Sequence, residues 1–375
     1  MMKKKILVIA KSLGGGGSEV ALIEFLNHLD LKKYNVTLLL LDHDTEYKYR
    51  LKQNINIKYI SFPNSLVHSF ASMYSFVGKI VKKEKVNKYI AIYDWLASHS
   101  QKMDQRYDLA IDFYGYGAFT TAFLALNVNA DKKAMWLHDE KMPWIVNIEK
   151  YLPKIDVVYG VSKAIKKEFC RRYPNYQKKA DVFYNVIDAN SIKNKALDFF
   201  PAEYKPNIYN ILTVGRLTEQ KGYDISIKAA KLLEKQKLNF RWYAIGDGRD
   251  KSKLIKMVKK LGLEDRFIFL GRKNNPYPYI KNCDLFVLPS RHEGYSVAVL
   301  EAKILKKLIV TSNIPANKEQ IIDRRNGLIS ALVPTDLAKK ILYAKDNEEI
   351  KRKILHNLSS EDLNFDKQMQ KLNNL

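Results

Sequence analysis

Cysteine is scarce in this sequence of 375 residues, and the two that occur, Cys170 and Cys283, lie far apart. Two separated thiols exclude a disulfide framework, which needs several pairs of cysteines. They also exclude a structural zinc site, which needs several clustered ligands. Long apolar runs are missing as well, since no stretch approaches the roughly 18–20 residues that cross a bilayer. We therefore expect a reduced, cytoplasmic protein without a structural metal or a transmembrane helix.

The amino terminus has too short an apolar stretch for an export signal. Three lysines precede the apolar residues 6–10, and this run ends at Lys11. The apolar part of an export signal needs roughly 7–15 residues. We therefore expect no signal peptide.

Acidic residues are few beside the basic ones. The chain has 64 lysines and arginines against 40 acids, for a net charge of +24, and 46% of its residues are hydrophobic, which excludes a disordered chain. The basic excess occurs in both halves of the sequence. Such a surface attracts polyanions: phosphorylated ligands, nucleic acid or an anionic membrane. Composition alone does not choose among them.

Apolar strands and amphipathic helices alternate along the chain. Residues 3–10 predict a buried strand, Gly14–Gly17 a loop, and 18–29 a helix for which Ser18 is the expected N-cap. Further strands are predicted over 36–41, 55–60, 109–113, 133–137, 157–161, 210–214, 240–245, 267–270 and 284–288, and further helices over 222–235, 250–260 and 296–305. This order is typical of doubly wound parallel α/β sheets.

A stretch with two prolines and no periodicity, 191–207, is the expected linker between two such domains. We predict a first Rossmann-like domain over 1–195 and a second over 208–355. The remaining residues, 356–375, are expected to pack back towards the first domain. Two domains of this kind would leave a cleft at the carboxyl ends of their strands, where such sheets bind ligands.

Glycine-rich and charged loops follow several of the predicted strands. Gly14–Gly17 could bring backbone amides close to an anion, although a merely flexible turn explains it equally well. The segment Gly215–Gly222 (GRLTEQKG) places Arg216 and Lys221 on one loop, a pair of cations that suits a diphosphate. Gly246-Asp247-Gly248 follows the next strand. A later loop, PSRHEGYS, carries Glu293, with Glu301 eight residues further on.

This ordered combination resembles the retaining nucleotide-sugar glycosyltransferases of family 4, which have the GT-B fold. The resemblance covers nearly the whole chain and includes Gly16-Gly17 with Glu19, residues 136–139 (WLHD), 161–162 (VS) and 185–188 (NVID). It implies two Rossmann-like domains that face each other across a cleft, the first on the acceptor side and the second binding the donor nucleotide.

The resemblance also implies roles for individual residues. Arg216 and Lys221 would hold the donor diphosphate, Glu293 the hydroxyls of the donor sugar, and Glu301 those of the ribose. His138 would lie beside the anomeric carbon. The implied catalytic set is His138, Glu293, Arg216 and Lys221. The implied donor-binding set is Gly16, Gly17, Arg216, Lys221, Gly246, Arg272, Lys273, Glu293, Gly294, Tyr295, Ser296 and Glu301, with the base near Arg272 and Lys273.

Two departures from the family pattern leave the donor sugar open. Tyr295-Ser296-Val297 replaces the commoner Phe-Pro-hydrophobic run, and 328–336 lacks the usual Gly- and Pro-rich loop. The expected function is metal-independent, retaining transfer of a hexose from a nucleotide-diphosphate sugar, most simply UDP-linked, with no cofactor. The expected acceptor is a glycan or lipid-linked intermediate of surface polysaccharide or glycolipid assembly.

Simpler interpretations stand beside these. His138 alone would more often be a core histidine, and Asp42-His43-Asp44 is interpreted as a solvated loop and not a metal site. The basic stretches 79–88 and 163–179 are either solvated faces or a surface that docks on anionic lipid at the inner membrane. The alternative functions are a GT-B nucleotide-sugar epimerase, a basic nucleic-acid-binding protein, which the even spread of charge disfavours, and a scaffold.

Overall fold

The computed structural model describes residues 3–14, 16–52, 54–62, 87–115, 119–361 and 366–374. The chain divides into two compact units. One comprises Met1–Val186 with Phe365–Leu375, and the other comprises Ile187–Asn364. The basic segment predicted over 79–88 lies outside the residues whose side chains are described. Over the described ranges, no helix combines the length and the apolar character that crossing a bilayer requires.

The first unit contains a sheet of seven parallel strands in the order β3-β2-β1-β4-β5-β6-β7. Its strands are β1 (Lys4–Ala10), β2 (Tyr34–Leu40), β3 (Asn56–Tyr59), β4 (Met103–Asp112), β5 (Val128–Leu137), β6 (Val157–Gly160) and β7 (Ala180–Val182). Its helices are α1 (Gly17–Asn27), α2 (Asn87–Ser98), α3 (Phe119–Asn127) and α4 (Lys163–Arg172), with 3-10 turns at Lys48–Arg50, Ile145–Lys154 and Pro174–Lys179.

The second unit has six parallel strands in the order β10-β9-β8-β11-β12-β13. These are β8 (Tyr209–Val214), β9 (Phe240–Ile245), β10 (Phe267–Gly271), β11 (Leu285–Leu288), β12 (Ile309–Ser312) and β13 (Leu328–Ser330). The helices are α5 (Ala189–Lys195), α6 (Tyr223–Lys235), α7 (Lys251–Lys260), α8 (Tyr277–Asn282), α9 (Val297–Ile304), α10 (Pro315–Gln320), α11 (Pro334–Asp346) and α12 (Glu348–Ser360). Both strand orders are doubly wound, as predicted.

The last residues of the chain return to the first unit as α13 (Asp366–Gln370) and a 3-10 turn, Lys371–Asn374. Lys371 donates from Nζ to Asp181 Oδ2 at 2.9 Å, and Gln368 Oε1 accepts from the backbone of Tyr184 at 3.2 Å. The described residues 356–361 belong to the second unit, so the return begins later than position 356.

The second sheet is held together by side chains as well as by its backbone ladder. Trp242 on β9 is fully buried and donates from Nε1 to Thr213 Oγ1 at 3.0 Å. Thr213, on β8, in turn donates to the carbonyl of Val287 on β11 at 2.7 Å. Because buried polar groups cost free energy unless they are hydrogen-bonded, this chain of bonds fixes the three strands that carry the loops considered below.

Several local predictions were wrong. Ser18 does not cap α1, because Gly16 is the N-cap and Ser18 donates to Glu19 from inside the helix. The predicted linker contains a helix, α5, which Asp188 caps by accepting from Ser191 N at 2.8 Å. The sequence reasoning also missed α3, whose residues are nearly all buried, and the three-residue strand β7.

Candidate active site

Two loops lie side by side where the strand order of the second sheet reverses. β8 and β11 are adjacent in the sheet, and each continues from its carboxyl end into one of the motif loops, Gly215–Gly222 and Pro289–Ser296. Parallel sheets bind ligands at this edge and at this reversal point. Six of the predicted donor-site residues lie on these two loops: Arg216, Lys221, Glu293, Gly294, Tyr295 and Ser296.

The two loops approach so closely that one position must be glycine. Gly222 has φ +69°, and a Cβ there would lie 2.0 Å from the carbonyl oxygen of Pro289. In addition, Gln220 donates from Nε2 to the carbonyl of His292 at 3.0 Å. The loops therefore have a fixed separation, which determines the spacing of the charged side chains that they carry.

Lys221 and Glu293 form an ion pair across this contact. Lys221 Nζ lies 2.6 Å from Glu293 Oε1, and the side chains are 14% and 7% exposed. The structure thus brings together the cation predicted to hold a diphosphate and the acid predicted to hold the sugar. An ammonium group has three donors, so Lys221 can bind a phosphate oxygen while it still contacts Glu293.

Arg216 lies on the same loop but is exposed, and its side chain forms no ion pair with any described residue. The loop after β9 supports the backbone next to Arg216, because the N–H of the following residue, Leu217, donates to the carbonyl of Asp247 at 2.9 Å. Gly246 has φ +147°, and a Cβ there would lie 2.0 Å from the carbonyl oxygen of Gly215. Gly246 thus has a structural reason to be glycine that is independent of any ligand.

Helix α9 begins directly after Glu293-Gly294-Tyr295. Ser296 caps it, and its hydroxyl accepts from Val299 N at 3.4 Å. The amino end of a helix carries partial positive charge and backbone N–H groups that favour an anion or an oxygen-rich ligand. Glu301 lies one turn further on, is 7% exposed, and accepts a hydrogen bond from Tyr277 Oη at 3.2 Å.

Arg272 and Lys273 follow β10, where the base of a nucleotide is expected. Lys273 Nζ lies 3.4 Å from Glu203 Oε1 and 5.3 Å from the ring centre of Tyr279. The hydrogen bond that Lys273 donates to the Tyr279 oxygen, together with the charge of Glu203, raises the pKa of Lys273. Lys273 therefore stays charged and is held by protein groups, and its role towards a base stays a prediction.

His138 belongs to the first unit, at the end of β5. It is 7% exposed, and its Nε2 lies 2.8 Å from the carbonyl oxygen of Phe113, which follows the adjacent strand β4. A carbonyl oxygen can only accept, so Nε2 carries the proton. Burial lowers the pKa of His138 to about 4, although the bond to Phe113 opposes this, so the ring is neutral at pH 7.

The glycine loop of the first unit is bordered by carboxylates. Gly16 is the N-cap of α1 and Gly17 its first residue, and a Cβ on Gly16 would lie 2.3 Å from Glu19 Oε2. At Gly14 the same construction meets Asp44 Oδ2, also at 2.3 Å. Two negative side chains oppose the binding of an anion, so this loop is a weaker phosphate site than its glycines suggest.

The Asp42-His43-Asp44 segment is an exposed loop, and His43 stacks on Tyr59 with ring centres 4.0 Å apart. Over the part of the chain that the structure describes, no three or more His, Cys, Asp or Glu residues are grouped so as to hold a metal ion.

The sequence reasoning missed three residues that shape the site. Tyr277 contacts Glu301, and Gln220 and Arg291 join the two loops. Both Gln220 and Arg291 stand inside the motifs quoted above. Gln220 immediately precedes Lys221, and Arg291 lies two residues before Glu293. Only the strand order shows that the loops carrying these two residues are in contact.

The comparison with protein families gives a match within the second unit. Residues 195–359 match the family model described as glycosyl transferases group 1. This match supports a glycosyltransferase. Over 87% of its length it is 24% identical to the N-acetylgalactosamine-N,N'-diacetylbacillosaminyl-diphospho-undecaprenol 4-alpha-N-acetylgalactosaminyltransferase of Campylobacter jejuni, and the match spans 86% of that protein. It is 33% identical to the O-antigen biosynthesis glycosyltransferase WclY of Escherichia coli, over 45% of this chain and 47% of WclY.

The fold of the chain is shared along nearly its whole length with solved structures. Anabaena Alr3699/HepE in complex with UDP and glucose superposes with a TM-score of 0.76, over 99% of this chain and 98% of that one, at 18% identity. At this identity the likeness shows the fold. It confirms the prediction of two Rossmann-like GT-B domains, while the roles of single residues stay predictions.

Proposed function

We propose that this glycosyltransferase transfers a hexose from a UDP-sugar to a glycan or lipid-linked acceptor in surface polysaccharide or glycolipid assembly, with retention at the anomeric carbon and without a metal ion. The observation that carries the proposal is the Lys221–Glu293 pair at the strand-order reversal of the second sheet, beside the amino end of α9. A cation and a carboxylate held there suit a diphosphate and the sugar attached to it.

Arg216 and Lys221 bind the donor diphosphate in this proposal. The exposed Arg216 offers a planar fork of donors, and Lys221 adds a point charge that is already placed by Glu293. Glu293 accepts from hydroxyls of the sugar, and the buried Glu301, held by Tyr277, accepts from hydroxyls of the ribose. The backbone N–H of Gly294, two residues before the cap of α9, also binds the donor in this proposal.

The reaction breaks the bond between the anomeric carbon and the diphosphate oxygen, and it forms a bond from that carbon to the acceptor oxygen on the same face. The acceptor proton passes to the departing diphosphate. Negative charge therefore accumulates on the leaving group, where the two cations stabilise it. This electrostatic role is the one that a metal ion would otherwise fill, which supports a metal-independent mechanism.

The donor and acceptor classes are supported by the relatives. Alr3699/HepE, whose fold this chain shares, was solved with UDP and glucose, and the Campylobacter relative is named for a diphospho-undecaprenol acceptor. A lipid-linked acceptor would place the enzyme at the cytoplasmic face of a membrane.

The stretch 163–179 is the described part of the basic surface that could dock there. Arg171 and Arg172 both bind Glu168, and Lys179 donates to backbone carbonyls at 2.6–3.4 Å, so these cations also have structural roles. Lys167 and Lys178 are exposed. Co-sedimentation with anionic and neutral vesicles tests the docking, and equal binding to both would remove it.

A thermal-shift panel of nucleotide sugars, followed by turnover with the best stabiliser, tests the proposed reaction. We expect a UDP-sugar to raise the melting temperature, and the product to keep the anomeric configuration of the donor by NMR. Release of a free sugar epimer without acceptor would indicate an epimerase. Tight binding of nucleic acid in a gel shift, with no response to any nucleotide sugar, would overturn the proposal.

A further inference from the structure

Arg291 forms a two-pronged ion pair that joins the two loops of the candidate site. Its guanidinium donates from Nη1 to Asp224 Oδ1 at 2.8 Å and from Nη2 to Asp224 Oδ2 at 2.7 Å. Asp224 lies in the first turn of α6, directly behind the Gly215–Gly222 loop. Parallel bonds of this kind fix the orientation of both groups, which a single contact would not do.

Arg291 also holds the backbone next to both members of the Lys221–Glu293 pair. Its Nη1 donates to the carbonyl of Glu219, and its own N–H donates to the carbonyl of Gln220, each at 2.7 Å. Gln220 immediately precedes Lys221, and Arg291 lies two residues before Glu293. The arginine therefore constrains both chain segments from which the ion pair extends.

The Arg291 side chain does not itself lie among the predicted donor-binding residues. It borders a separate cavity of about 310 Å³ between the first turn of α6 and helix α7. Asp224 and Arg291 are among the residues that line this cavity, and no predicted donor-site residue is. Any effect of Arg291 on donor binding must therefore pass through the loops.

We propose that Arg291 is a positioning residue: through Asp224 and the carbonyls of Glu219 and Gln220, it sets the place of Lys221 opposite Glu293. The inference rests on the proposed function, since it assigns the positioning to the donor diphosphate. Lysine is a poor substitute, because a single ammonium cannot hold both carboxylate oxygens and the Glu219 carbonyl in one plane.

The kinetic test compares Arg291→Ala, Arg291→Lys and Asp224→Asn with the full-length wild-type enzyme, using the nucleotide sugar that the wild type turns over. We expect Arg291→Ala to lower kcat/KM by at least ~10-fold, with a raised KM for the donor, and Arg291→Lys to recover only part of this loss. A merely structural role would lower the active fraction and leave KM unchanged.

Arg266→Ala is the matched control. Arg266 donates to Asn239 Oδ1 and to the carbonyl of Phe240, each at 3.2 Å, in the same unit but at the amino end of β9. It should change kcat/KM by less than ~2-fold. Equal losses in Arg266→Ala and Arg291→Ala would overturn the positioning role.

A double-mutant cycle shows whether the effect passes through Lys221. In a Lys221→Ala background, Arg291→Ala should weaken UDP binding, measured by calorimetry, by less than ~3-fold, because the group that it positions is gone. The same factor in both backgrounds would overturn the inference.

A crystal structure of Arg291→Ala gives a readout that needs no activity. We expect Lys221 Nζ to lie beyond about 4 Å from Glu293, outside ion-pair contact. An intact pair would overturn the inference whether or not a UDP-sugar is the donor. A wild type that turns over no nucleotide sugar would count against the proposed function alone.

Discussion

Lys221 Nζ and Glu293 Oε1 lie 2.6 Å apart although 72 positions separate the two residues in the chain. The contact exists because β8 and β11 are neighbours in the second sheet and because Gly222 lets their loops meet. With exposures of 14% and 7%, neither charge is well solvated, so each depends on the other. A ligand with negative charge on one side and hydroxyls on the other would satisfy both.

The first prediction concerns this pair. Lys221→Ala should lower kcat/KM for the donor by at least ~100-fold, because it removes a cation that stabilises the leaving diphosphate. Glu293→Gln should keep most of the UDP affinity and lose the affinity for the attached sugar. Steady-state kinetics and calorimetry with UDP and the UDP-sugar measure both effects.

Lys251→Ala serves as the control for that prediction. Lys251 also forms an ion pair in the second unit, 2.9 Å from Asp247, but the two side chains are 39% and 44% exposed. Exposed pairs contribute little, so this variant should behave as the wild type. Similar losses in both lysine variants would contradict a specific role for Lys221.

The second prediction concerns Gly222. Gly222→Ala should lower the free energy of unfolding by at least about 3 kcal/mol, since an alanine there is strained and also meets the Pro289 carbonyl. Gly262→Ala separates the two causes: Gly262 has φ +64°, and a Cβ there would have no neighbour within 4 Å. Denaturant unfolding should show a loss of about 1 kcal/mol for Gly262→Ala. Equal losses in the two variants would show that the Gly222 loop can move away from Pro289 without a cost in free energy.

The sequence predicted the individual elements of the site better than the contacts between them. β9 was placed at its observed bounds, and the helix predicted over 296–305 matches α9 to within one residue at each end, because both signals are local. The pairing of Lys221 with Glu293 could not be predicted in the same way, since it depends on which strands are neighbours. Local patterns of polarity carry no information about strand order.

Two of the elements that the sequence reasoning missed, α3 and β7, each have a clear physical cause. Helix α3 is buried on nearly all sides, so its residues do not alternate between polar and apolar faces. Strand β7 has three residues, too few for a period of two to be seen. Ser18 was mistaken for a cap because its residue type suits that position, whereas the backbone of Gly16 takes it.

The third prediction concerns metal independence. Asp44→Ala should change turnover by less than ~3-fold, because the carboxylate is exposed and the backbone carbonyl of Asp44, which accepts from Leu13 N at 2.8 Å, remains. A chelator should likewise leave activity unchanged, since Arg216 and Lys221 supply the positive charge. Turnover with and without EDTA, and after addition of Mg²⁺, checks this. Loss of activity in both experiments would show that the enzyme needs a metal ion.

The last prediction concerns the stability of the first unit below neutral pH. The pKa of His138 is lowered by burial to about 4, against 6.5 for an exposed imidazole. The unfolded chain therefore binds a proton at this residue before the folded chain does. The contribution of His138 is complete above pH 6.5 and is lost as the pH falls towards 4, by up to about 3 kcal/mol.

His138→Gln isolates this effect, because glutamine can still donate to the Phe113 carbonyl but does not titrate. The free energy of unfolding should fall less steeply between pH 6.5 and 4 in the variant than in the wild type. Carboxyl groups such as the buried Asp112, whose pKa is raised by burial, titrate in both proteins and cancel in the difference. Above pH 7 the difference between the two curves should be constant. Parallel curves down to pH 4 would mean that the imidazole reaches water when it is protonated, and that its burial is not enforced by the fold.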